Sequence, residues 1–113
     1  MNAAMFHKSF SRLPLHARVG NLAVTINRLA DSLEKHQNQE GTKSFVREAM
    51  WFIEWTAAEL EPERTTELIA AQRTMGNWFK HWESIWNDQA EGAKVQHQAR
   101  AVSRKLFGWA EAR

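Results

Sequence analysis

His36 and Glu40 stand four residues apart, a spacing that puts both side chains on one face of a helix and offers an imidazole and a carboxylate to a metal ion. No third ligand accompanies them, and both fall in the wholly polar stretch 34–40, so a solvated pair is expected and no metal site. Carboxylate-bridged di-metal bundles need inward Glu residues together with Glu-x-x-His motifs. The chain has no Glu-x-x-His, no His-x-x-x-His, and no acid within its apolar stripes. His81 and His97 remain as general-base candidates, each on the polar side of its helix without a partner of recognisable geometry. Gly-x-Ser-x-Gly, Gly-x-Gly-x-x-Gly and Gly-Lys-Ser/Thr are all absent. Zero Cys removes thiolate catalysis, disulfides and Cys-based zinc or iron–sulfur sites. The expectation is a non-enzyme with no catalytic residue and no cofactor.

Residues suited to binding are more telling. The chain has six Trp and no Tyr. Trp78, Trp82, Trp86 and Trp109 lie within or beside apolar stripes and are assigned to packing. Without convergent polar groups to orient a ligand, no small-molecule site is expected. Trp51 and Trp55 differ. At 100° per residue, the set Phe45, Val46, Ala49, Phe52, Ile53, Thr56, Ala57 and Leu60 centres on one direction, and these two indoles point roughly 130–170° away from it. Arg47, Glu48, Glu54, Ala58 and Glu59 surround them, the makeup of an aromatic centre with a charged rim. The sites expected from this are a protein interface at Trp51, Trp55, Arg47, Glu48, Ala58 and Glu59, most simply a homodimer contact. Residues 1–13 folding back over the pair is the competing explanation.

Charge supplies an alternative partner. The net charge of +2 is uneven: residues 1–30 carry +4, residues 31–67 carry −5 and residues 68–113 carry +3. If the first and last long helices lie side by side, Arg18 and Arg28 join Lys94, His97, Arg100, Arg104 and Lys105 on one basic side. Such a face suits an acidic protein or the phosphates of a nucleic acid, and the second reading is of a nucleic-acid-associated accessory protein. No helix-turn-helix or stacking signature accompanies it.

All these residues depend on helices to place them. Leu15, Val19, Leu22, Ile26, Leu29 and Leu33 step by alternating fours and threes behind Pro14, which suits the first position of a helix. That stripe ends at Leu33, and Gly41 closes the polar tail. A second helix is predicted after Thr42 as N-cap, a third from Pro62 along Leu68, Gln72, Met75, Phe79, Trp82 and Trp86. A fourth follows Asp88, with Glu91 completing a capping box, along Val95, Ala99, Val102, Leu106 and Trp109. No alternating segment suggests a strand. At 113 residues, 43% hydrophobic and 25% charged, the chain suits one all-α domain, an up-down-up-down four-helix bundle over 14–113. Residues 1–13 form a short arm in which Met5, Phe6 and Phe10 are the apolar positions. The longest apolar run, 49–53, is far too short to span a bilayer, no secretory signal is recognisable, and the expected location is cytoplasmic.

Overall fold

A computed structural model describes residues 3–111. Every regular element there is helical: α1 (Ala3–Ser11), α2 (Leu15–Lys35), α3 (Gln39–Thr56), a 3-10 turn (Ala57–Glu59), α4 (Pro62–Lys80), α5 (Trp82–Asn87) and α6 (Gln89–Glu111). The all-α class follows. The expected four helices are six among the described residues, because the arm is itself a helix and the third stripe is broken in two.

The stripes locate the core. In α2, Val19, Leu22, Ile26, Leu29 and Leu33 are buried, and in α6, Val95, Ala99 and Leu106 are buried against them. These two helices run antiparallel in close contact. Small side chains let the backbones approach: the Ser103 hydroxyl donates to the Ala23 carbonyl at 2.7 Å inside the interface. On its other side α2 packs along α3, where Val46, Ala49, Phe52 and Ile53 face inward. α4 lies along α3 through Leu68 and Met75, and α5 against α6 through Ile85. No described helix is long and apolar enough to cross a membrane.

The element ends correct three sequence-based expectations. The α3 N-cap is Asn38, whose Oδ1 accepts from the Gly41 amide at 2.9 Å. Thr42, expected there, is fully buried one turn later, with its hydroxyl on the Asn38 carbonyl and against Ser32 of α2. Gly41 does not terminate α2. A Cβ there would come within 2.6 Å of the Asn38 amide group, so glycine leaves room for the cap. The residue that ends α2 is His36, in the left-handed region at φ 53° and ψ 45°, a conformation that usually favours Gly or Asn. Its ring is held by Trp86 of α5, stacked at 4.0 Å, and Nε2 lies 2.9 Å from the Trp86 carbonyl oxygen. The third stripe breaks at His81, after which Trp82 turns into the core. Asp88 caps α6 as expected, its Oδ1 accepting from the amides of Ala90 and Glu91.

Candidate functional site

Trp55 does not point away from the core as its helical position suggests: it packs against the core, 6.0 Å from the Phe52 ring, and α1 lies over it. Phe10 is the anchor: it is 3% exposed and stacks on Phe52 at 4.2 Å with the rings within 3° of parallel. This brings His7 over the Trp55 ring at 4.5 Å and 10°. Trp51 continues the stack 6.0 Å beyond Trp55, and the Arg47 guanidinium sits 5.7 Å from the Trp51 ring. The result is a column, His7–Trp55–Trp51–Arg47, in which both indoles are half-buried. The pair is therefore not bare, as helical spacing alone suggests. Its Trp55 end is covered by the arm. The competing explanation, residues 1–13 folding back over the pair, thus holds at Trp55, with Phe10 among the apolar positions expected of the arm; His7 is the residue that its composition did not single out. The Phe6 side chain lies outside the described residues.

The expected rim divides. Arg47 belongs to the column, and Ala58 is exposed in the 3-10 turn. Glu48 is half-buried; loss of water raises its carboxyl pKa, opposed by the charges of Arg47 and Arg28. Glu59 faces Arg18 instead of the indoles. Both of its oxygens accept from the Arg18 guanidinium, whose side chain is 7% exposed. The same guanidinium donates to the Leu13 carbonyl at 3.1 Å and the Trp55 carbonyl at 3.3 Å. One cation thus ties the α1–α2 connection, the start of α2 and the end of α3. Hydrogen bonding from Arg18 lowers the Glu59 pKa, and Glu59 raises that of Arg18 in turn.

That ion pair also removes Arg18 from the expected basic face. Arg100 is engaged as well, with Asp31 at 3.0 Å, Glu34 at 3.2 Å and Asn27 at 3.1 Å, all on α2. Lys105 pairs with Glu67 of α4 at 3.3 Å. Arg28 acts on Glu48. α2 and α6 do lie side by side, but a phosphate backbone would compete with carboxylates at Arg18, Arg100 and Lys105. Lys94, His97 and Arg104 are exposed, and among the described residues none of them is in an ion pair.

A feature with no counterpart in the sequence reading lies between α4 and α6. These helices run antiparallel, Arg64 over the Trp109 ring at 5.0 Å and Glu67 to Lys105 marking one end. They approach far less closely than α2 does α3 or α6. The gap is a groove made of three joined depressions of about 400, 300 and 580 Å³. Its first two thirds is apolar, with Leu68, Met75, Val102 and Leu106 in the lining. Its far end is polar, with Arg73, His81 and Lys94. The stripes of α4 and α6 hide this feature because each residue is placed correctly and only the spacing of the two axes leaves it uncovered.

His36, one half of the metal-spaced pair, has its ring on Trp86. Among the described residues no group of three or more His, Asp or Glu converges as a metal site would require. His81 and His97 are both exposed. No family model, curated protein or solved structure matches this chain.

Proposed function

We propose that the chain is a protein-interaction module that self-associates through the Trp51/Trp55 face. The observation that carries this reading is the stacked column of His7, Trp55, Trp51 and Arg47, which sets two half-exposed indoles side by side at the surface. Trp is enriched among residues that dominate binding energy, and side chains ordered before contact lose less entropy on binding. A twofold contact brings each Trp51 near its mate, so one substitution acts twice. Arg47 lies next to Glu48 and about two turns before Glu54 on α3, so an offset twofold docking sets Arg47 of one copy against a carboxylate of the other.

Light scattering at tens of micromolar tests the reading. The wild type is expected to be a dimer and the Trp51→Ala, Trp55→Ala double variant a monomer. Because Trp55 also holds α1, Trp51→Glu serves as a second variant and is expected to give a monomer with unchanged helicity. A monomeric wild type at roughly 100 µM, a concentration that a specific interface of micromolar affinity would saturate, overturns the reading.

A further inference from the structure

The α4–α6 groove runs from Glu67 to His81 on one wall, which at 1.5 Å per residue is about 21 Å, or four turns of helix. It is open along its length and so does not enclose a small ligand as binding cavities do. Its walls carry Ala70, Ala71, Thr74 and Ala101, short side chains that let another helix axis come near the floor. The floor is apolar under the first three turns. Charge then distinguishes the two ends. At the Trp109 end, Lys105 is already paired with Glu67. At the other end stand Arg73 and Lys94, neither in an ion pair among the described residues, with His81 beside them and Glu91 as the carboxylate in that lining.

We propose that this groove receives an acidic amphipathic helix of a partner protein, at a site separate from the Trp51/Trp55 face. Such a helix places apolar anchors at i, i+3 or i+4, and i+7 over Leu68, Met75, Val102 and Leu106. Its Asp or Glu residues reach Arg73 and Lys94, whose exposed charge also speeds encounter. A basic helix meets like charge at that end and gains nothing at the other, where the Glu67–Lys105 pair is closed.

The test is selection from a displayed library of random 16-residue peptides on the full-length protein, followed by anisotropy titration of the best synthetic peptide. Enriched peptides are expected to be net acidic with apolar residues at helical spacing. Arg73→Glu with Lys94→Glu is expected to weaken binding at least tenfold. Ala101→Trp, which fills the groove from an exposed position, is expected to abolish it, with thermal melting unchanged in both variants. Four outcomes overturn the proposal: no enrichment, enrichment without acidic bias, binding that survives Ala101→Trp, or conversion of a dimer to a monomer by Ala101→Trp. The last would make a second copy the occupant. Trp51→Glu is expected to leave peptide binding unaltered, so failure of the self-association reading and failure of this one are read separately.

Discussion

Arg18 shows how far a residue's type underdetermines its role. Its position in a basic N-terminal segment made it a candidate phosphate contact, yet its guanidinium is buried on Glu59 and two carbonyls. The partner lies 41 residues away, and nothing local announces it. The lowered pKa of Glu59 gives this contact a pH signature. The ionised carboxylate stabilises the fold above the ordinary Glu range near pH 4.3, and the contribution is lost as pH falls through the lower folded value. Glu48 has the opposite sign: its raised folded pKa favours the protonated form, a contribution lost as pH rises through that value. Glu59→Gln is therefore expected to melt below the wild type at about pH 6, with the gap closing as pH is lowered towards 2. A gap that stays constant over that range would show that the carboxylate charge is not what matters. In the core, Leu22→Ala and Ile26→Ala, both fully buried, are each expected to cost about 2–5 kcal/mol in denaturant unfolding. Phe79, in the same sequence stripe as buried Met75, is only half-buried beneath the Lys43 ammonium at 4.6 Å. Phe79→Ala is expected to cost less than either.

At the scale of elements, the apolar periods of α2, α3 and α6 were legible because burial of one stripe is what stabilises a helix in a small domain. The ends were less so, since capping is decided by single contacts. His36 occupies a left-handed cap normally read from glycine because Trp86, fifty positions on, holds its ring. A polar residue in a polar stretch carries no sign of this. Whereas a solvated His36 would tolerate substitution, His36→Ala is expected to cost about 1–2 kcal/mol, from the lost ring stack on Trp86 and the lost hydrogen bond. Chemical denaturation of His36→Ala beside His36→Gly checks this, because glycine loses the same ring contacts but relieves the left-handed backbone strain that His and Ala share. The break between α4 and α5 was illegible for a related reason: no Gly or Pro marks it, and the apolar spacing runs on through His81. The arm's helix is short, and α1 depends on Phe10 for attachment. Phe10→Ala is expected to release α1, shift Trp emission to longer wavelength and increase quenching by acrylamide. Unchanged quenching would mean that α1 does not shield Trp55.

At the scale of the whole molecule, the four long helices are unequally held. α2 is enclosed by two long helices, α3 and α6, whereas among the long helices α4 packs closely on α3, with smaller contacts to the 3-10 turn and α5. Local opening follows such differences in enclosure. Native-state hydrogen exchange is expected to be slowest for amides of α2 and α6 around Ala23 and Ser103, and faster by orders of magnitude along the groove side of α4. Uniform protection across α2, α4 and α6 would contradict the unequal packing. The candidate site was only partly legible at this scale. The Trp pair could be picked out from one helix, but the groove is a property of the distance between two axes, which no single stripe encodes.

The α2–α6 contact has a consequence for how the protein is made. Ala23 and Ser103, joined inside that interface, are 80 residues apart. A ribosome adding about 5–20 residues per second leaves the α2 stripe without its main partner for about 4–16 s. During that interval Leu22, Ile26 and Leu29 form an adhesive ridge on a nascent chain. Until α6 emerges, cover for that ridge comes from α3, the other close neighbour of α2.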